Sequence, residues 1–418
     1  MTWPGALGSI AERWSTLPKR VRLATILGVC ILVTALFPYF RSSLEGLPFF
    51  GRYIPDTGSV VAMLVFTMMA VSLNVVVGYA GLLDLGYVAF YAIGAYGVAV
   101  FASTQFGGSN ENPRTIRFGT VAPESLPGIH ISIWLLLLYA AVLTALLGVL
   151  IGLPTLRLRG DYLAVVTLGF GEILPQVARN GDDLFGTGFN LTGGSAGIAP
   201  VDAPGFGSAI NSAIPFLPET FRSGTGEHQA RLFYWTALAL LLLTIFCCTR
   251  LRDSRLGRAW VAIREDETAA AAMGIPLMRT KTWAYAVGAF FGGLAGGFYA
   301  SFKGTAFDTD FFFQLSIFIL CMVILGGMGN VWGVIIGALF LSYLDRFGIP
   351  TIGAHVNEVF GTQFEIPKYT FMIFGIILLV VMLFRPEGLF PEARRKAELT
   401  EGVHDEPFYD VQHEGANG

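Results

Sequence analysis

The chain has 418 residues, of which 54% are apolar, 14% charged and 13% aromatic, with mean hydropathy +0.61 and a formal net charge of -3. A soluble domain carries about 25% charged residues. Here long runs are almost free of charge, which excludes a water-facing globule, and the balance of charge offers nothing for nucleic acid.

In chain order, residues 1–21 read as a cytoplasmic N-terminal segment. The basic lead-in of Lys19, Arg20 and Arg22 precedes the apolar run 23–40, which ends in "FPYFRSS". No small-residue cleavage pattern follows, so a retained first helix is expected rather than a signal peptide. A helix needs roughly 20 apolar residues to cross about 30 Å of hydrocarbon. Runs at or near that length are 22–40, 59–77, 82–102, 131–153, 161–179, 232–249, 282–301, 311–328, 329–345 and 367–384. The expected fold is therefore an all-α polytopic integral membrane protein of about ten transmembrane helices, with a permease domain over 22–392. The glycine break "GGMGNVWG" (326–333) interrupts 311–345 at Gly326, Gly327 and Gly329. Two short full spans, or a re-entrant pair that lowers the total to eight, are both open there, since broken backbone at depth needs protein or water around it.

Threading the chain with its N-terminus inside places Arg13, Lys19, Arg20, Arg22, Arg157, Arg159, the cluster over 250–281 and the basic run 385–396 in the cytoplasm. These are seventeen of the 27 Lys and Arg, as the positive-inside rule requires. Both termini are then cytoplasmic. Long outer loops over 103–130 and 180–230 follow, and the acidic tail 393–418 is expected to be disordered.

The loop "RLRDSRLGRAWVAIREDETAAAAMGIPLMRTK" (250–281) reads as a helix from Ser254 with Leu256, Trp260 and Ile263 on one side. An acidic turn at Asp266 and Glu267 follows, then a short alanine helix stopped by Gly274 and Pro276. One reading is an amphipathic connector lying on the headgroups. The other is a coupling element docked into a cytoplasmic motor subunit, with Arg258, Glu265, Asp266, Glu267, Ala269, Ala270 and Gly274 at the contact.

Four polar residues in apolar runs are candidates for the pathway or for buried polar roles: Asn74, Asp84, Thr167 and Glu172. At helical spacing Asp84 shares a face with Gly81, Val88, Ala92, Ala95 and Ala99, a small-residue stripe that packs helices closely in lipid. It reads as a helix-start aspartate near the inner boundary, as a pathway group or as a gate salt bridge. Glu172 lies more than halfway along its span between Gly171 and Pro175, a setting for a kinked or broken helix. It reads as a hydrogen-bond anchor across a subunit interface or as pathway lining, since an ionisable group there must pair or face water. Gln314 and Ser316 complete the few polar anchors at depth. The four cysteines sit inside apolar runs and the five histidines are read into loops or the tail, so no metal site is expected. None of the five lysines follows a glycine, so a Gly-Lys-Ser/Thr phosphate loop is absent. The chain is not read as an enzyme.

Three stretches, "LNVVVGYAGLLDLGYVAFYAIGAY" (73–96), "LRLRGDYLAVVTLGFGEI" (156–173) and "LGRAWVAIREDETAAAAMGI" (256–275), resemble the M-type permease family of the Liv system. That system is the bacterial ATP-binding-cassette importer of branched-chain amino acids. "VILGGMGNVWGVIIGA" (323–338), "LFRPEGLFP" (383–391) and "NLTGGSAGI" (190–198) extend the resemblance, which covers roughly 58–392. It implies a permease subunit in the bacterial cytoplasmic (inner) membrane that moves branched-chain or related amino acids. It implies as partners a second, H-type permease, two ATP-binding-cassette ATPases and an external amino-acid-binding protein. ATP would be bound by the partner subunits, and no cofactor is implied in this chain. In ATP-binding-cassette importers generally the loop toward the ATPase carries a Glu-Ala-Ala…Gly pattern; here Thr268 holds the glutamate's place and Glu267 stands one residue before it. A urea or short-amide permease is the neighbouring reading, and a self-sufficient secondary transporter is the reading from another class.

Overall fold

The computed structural model describes residues 28, 31–41, 45, 53–107, 115–118, 126–158, 160–183, 186–204, 227–360, 366–385 and 388–390. The segment 1–21, the tail 393–418 and about half of the long outer loops lie outside them. The chain divides into two compact units, 1–58 and 59–418. In the first, helix α1 (Ile31–Arg41) ends on the pair Arg41–Glu45, 2.6 Å apart.

The second unit is helical. In order it holds α2 (Thr57–Asn74, prolonged by a π-turn at Val75–Tyr79), α3 (Val88–Phe101), α4 (Ile133–Thr155), α5 (Asp161–Arg179) and α6 (Glu227–Asp253). Then come the short helices α7 (Arg255–Glu265) and α8 (Glu267–Ala272), followed by α9 (Leu277–Lys303), α10 (Phe313–Gly326), α11 (Val331–Tyr343), α12 (Ile349–Phe360) and α13 (Thr370–Phe384). Among the described residues six helical stretches are long and apolar enough to cross a membrane, against the ten apolar runs of the sequence. Of the others, α3 has only 14 residues, and α9 is long but rich in glycine. Both 308–326 and 331–357 are among the six, which favours two full spans over a re-entrant pair. A second π-turn, Leu344–Gly348, joins α11 to α12.

Helix α9 is the axis of the unit, and its "GGLAGG" run explains how. A Cβ on Gly94 of α3 would stand 2.1 Å from the Gly293 carbonyl oxygen, and one on Gly296 would stand 2.0 Å from that of Tyr91. The two backbones touch, as small-residue faces permit in lipid. Helix α4 packs into the same glycine-rich face, with Thr144 against Gly293 and Ala140 against Gly297. Helix α2 is buried along nearly its whole length.

The two ends of this unit differ. At one end a three-stranded sheet in the order β1 (Ala102–Ser103), β3 (Gly128–Ile131), β2 (Thr115–Phe118) pairs β3 antiparallel to β1 and parallel to β2. The segment 198–202 is tied to it: the Asp202 N–H donates to Ala102 O (2.8 Å) and Ser301 Oγ donates to Asp202 O (2.7 Å). His130 Nδ1 and Asp202 Oδ2 lie 2.7 Å apart, and burial pushes the Asp202 carboxyl above its ordinary value. The expected loops 103–130 and 180–230 therefore share one end. At the other end gather α7, α8, the first π-turn, the 326–330 break and residues 388–390. His130 lies on β3 and His355 on α12, not in loops as read from the sequence. Among the described residues no cluster of His, Cys, Asp or Glu is arranged to hold a metal ion.

Candidate functional site: a docking element and a broken helix

The helix–acidic turn–helix expected over 250–281 is present, and its local causes are explicit. Ser254 caps α7 by accepting from the Gly257 N–H (3.3 Å), and Asp266 caps α8 by accepting from the Thr268 and Ala269 N–H groups at 2.7 and 3.0 Å. Gly274 ends α8 in the left-handed region (φ 84°), with its N–H bonded to Ala271 O and that of Ile275 to Ala270 O. Trp260 is fully buried beneath α7, its Nε1–H donating to Thr280 O at 2.8 Å, and Ile263 is buried beside it. Lys281, only 4% exposed, pairs with Glu267 at 2.8 Å. A buried lysine without that partner would be expensive.

The rest of the element faces outward. Arg258, Glu265, Asp266, Thr268, Ala269 and Gly274 are exposed, and Met273 is 84% exposed; Ala270 alone of these candidates is buried. Arg258 donates to Asp253 O at 3.1 Å. The product is a smooth alanine–methionine ledge bordered by charge and fixed to the bundle from behind.

Arg264 makes that fixation, and sequence reasoning missed it. Its Nη1 donates to the Gly78 carbonyl oxygen in the first π-turn at 2.5 Å, while its side chain covers Gly81, where φ is 69° and a Cβ would meet Arg264 Cγ at 2.6 Å. One turn earlier, Asn74 Oδ1 accepts from the Gly329 N–H at 2.9 Å. Gly327 and Gly329 have φ of 107° and 91°, and together with Gly326 they form the break between α10 and α11. The break is closed from below as Leu389 N donates to Leu325 O (2.9 Å) and Asn330 Nδ2 to Phe390 O (3.0 Å). Asn74, the three glycines and the α7–α8 element thus form one connected structure.

Asp84 requires a correction. Residues 81–87 are not helical, and α3 starts at Val88, so Asp84 does not continue the face of Val88, Ala92, Ala95 and Ala99. It is buried, with Oδ1 accepting from the Gly86 N–H at 2.9 Å. Its carboxylate also interacts with the buried Tyr285 hydroxyl of α9. No salt bridge to Asp84 exists among the described residues. The unwound backbone is satisfied from other helices: Thr167 Oγ1 of α5 accepts from Leu85 N–H (3.1 Å) and Ser316 Oγ of α10 from Val88 N–H (2.9 Å). Gly86 lies against the Thr167 carbonyl, where a Cβ would stand 2.0 Å from the oxygen. Thr167 is buried, as expected, but its work is to hold this segment. With 14 residues, α3 spans only about 21 Å, short of the ~30 Å hydrocarbon thickness.

The kinked or broken helix expected around Glu172 is absent: α5 runs unbroken from Asp161 to Arg179 with Pro175 inside, and Glu172 is exposed on this chain. Tyr162, Val165, Glu172, Ile173 and Gln176 form one exposed stripe, while Leu163, Ala164, Thr167 and Gly171 face the bundle. A carboxylate at that depth costs about 2.5–3.5 kcal/mol against lipid, so this face belongs against protein or water.

The family described as the permease component of the branched-chain amino acid transport system matches residues 55–382. Over 347 residues the chain is 34% identical to the high-affinity branched-chain amino acid transport system permease protein LivM of Escherichia coli K12, covering 81% of this chain and 71% of that protein. The probable LivM of Methanocaldococcus jannaschii is 26% identical over 340 residues, with coverage of 78% and 90%. The Salmonella typhimurium permease protein LivH is 28% identical over 179 residues, 42% of this chain and 52% of that protein. No solved structure matches the chain. The matched residues take in the broken helix, α5 and all of α7–α8, and the chain belongs to the branched-chain amino acid transport system permease family.

Proposed function

We propose that this chain is the membrane-spanning permease subunit of an ATP-driven importer of branched-chain amino acids in a bacterial cytoplasmic membrane. Two separate ATPase subunits supply the energy, a second permease of the H type completes the pathway, and an external binding protein delivers the substrate. The observation that carries the reading is the exposed α7–α8 ledge, anchored by Trp260, Lys281 and Arg264 to the end of the bundle where basic residues concentrate. A span connector needs no such anchoring. An ATPase groove accepts α8, whose alanines allow close approach and whose flanking Glu265, Asp266 and Arg258 meet charges on the partner.

Movement of α7 acts on the π-turn through Arg264 and Gly78, and on the α10–α11 break through Asn74 and Gly329. The exposed α5 stripe with Glu172 faces the second permease and the pathway between them. The N-terminal segment 1–21 and the tail 393–418 lie in the cytoplasm, on either side of the permease domain 22–392.

The test is purification from native membranes followed by reconstitution. Recovery with two ATPases and a second permease, and uptake of leucine that requires ATP and the binding protein, is expected. A lone chain that transports on an ion gradient overturns the proposal.

A further inference from the structure

One charged cavity lies outside everything described so far. About 410 Å³ in volume, within the ~300–1,000 Å³ typical of small-molecule sites, it lies among α2, α3, α9, α10, α13 and the second π-turn. Asp345 and Arg346, in that π-turn, are the only Asp, Glu, Lys or Arg in the 27-residue span Val331–Asn357. Fifteen residues past Val331, Arg346 stands about 22 Å along the helix from the docking end. Ionisable groups at such depth mark a pathway more often than a scaffold, and π-turns recur at functional sites.

Arg346 is loosely held. Its Nε is 3.4 Å from Asp345 Oδ2, its Nη2 donates to Tyr299 Oη at 3.5 Å, and the guanidinium lies 5.0 Å over the Phe66 ring. Each contact is single and long, so the planar fork keeps donors for a bidentate carboxylate. Across the cavity Asp310 pairs with Lys303 at 2.5 Å. Asp345 paired with Arg346, and Asp310 with Lys303 at the cavity's edge, leave the site neutral overall. Between them Phe66, Phe318 and Phe371 supply an apolar wall. A ligand with no net charge, one carboxylate, one ammonium and an aliphatic side chain fits that arrangement better than an anion, a cation or a neutral amide.

We propose that this cavity is a transit site for zwitterionic aliphatic amino acids: Arg346 binds the α-carboxylate, Asp345 and Asp310 the α-ammonium, and the three phenylalanines the side chain. The inference rests on the import function proposed above and adds the place where the substrate pauses within this chain.

The reconstituted complex, with its ATPases, second permease and binding protein, tests it with a diazirine analogue of leucine photolysed during turnover. Crosslinks on peptides carrying Phe66, Phe318 or Phe371 are expected. Arg346→Gln should lower leucine uptake at least tenfold and erase those crosslinks at matched levels of assembled complex, while Arg346→Lys recovers part of both. If wild type imports leucine, Arg346→Gln imports it equally well and the crosslinks lie elsewhere, the site is overturned and the import function stands. If Arg346→Gln fails only because the complex does not assemble, while wild-type crosslinks fall outside these peptides, the site is likewise overturned. Absence of leucine uptake by wild type removes the import function and the transit site with it.

Discussion

At the scale of single residues, the account depends on a few side chains that tie the docking ledge to the broken helices. Truncating Trp260 removes a fully buried indole and its hydrogen bond to Thr280 O. Trp260→Ala should cost about 3–5 kcal/mol locally, read as faster amide hydrogen exchange over α7 and loss of ATPase co-purification. Arg264→Gln is a subtler change, since α7 keeps its cap and its tryptophan anchor. It loses a charge-assisted bond worth about 1.5–3 kcal/mol. ATPase binding should persist while the leucine transported per ATP hydrolysed falls; an unchanged ratio would show that the Gly78 contact transmits nothing. Asn74→Ala leaves the buried Gly329 N–H without its partner, a loss of about 1–3 kcal/mol that should appear as increased protease sensitivity at 326–330. None of these pairings was legible in the sequence, because Arg264 and Gly78, or Asn74 and Gly329, are brought together only by the fold. Asn74 and the glycines were visible as anomalies in an oily chain, without any sign of what they met.

At the scale of elements, legibility followed periodicity. The loop 250–281 carries a cap, an amphipathic face, an acidic restart and a Gly-Ile-Pro stop, all local signals, and its two helices appear within a residue or so of where they were expected. The Asp84 stripe misled because the small-residue spacing looks the same whether or not the backbone is helical; Gly78, Gly81 and Gly86 carry the unwinding, and Thr167 and Ser316 supply its hydrogen bonds from distant helices. The kink expected beside Glu172 is absent because Pro175 is accommodated inside a continuous α5, and the carboxylate lies on the face that this chain leaves uncovered. The α3–α9 contact gives a further prediction. Gly94→Val must push two touching backbones apart, a cost above the usual 1–3 kcal/mol of overpacking, and should abolish stable expression. Gly97→Ala, by contrast, should be tolerated, because the nearest atom to a Cβ there is 3.5 Å away. At Gly274 the surroundings are open and only the positive φ resists a side chain, so Gly274→Ala should cost about 1–2 kcal/mol and weaken ATPase association without blocking membrane insertion.

At the scale of the whole chain, composition alone identified a membrane protein, and the placement of basic residues identified one end of it as special. The structure of 59–418 gathers the ledge, the first π-turn, the α10–α11 break and residues 388–390 at that same end, opposite the sheet. The charged cavity around Arg346 was not legible, because its walls come from positions near 66, 91, 299, 310, 345 and 371 that no local pattern connects. The central claim, that α7–α8 meets an ATPase in the cytoplasm, is tested most directly by placing a cysteine on the most exposed residue of the ledge. Met273→Cys, in a background with the native cysteines replaced, should resist a membrane-impermeant maleimide in intact cells, react with it in inverted vesicles, and cross-link to the ATPase in the assembled complex. Labelling of Met273→Cys from outside intact cells would contradict the account.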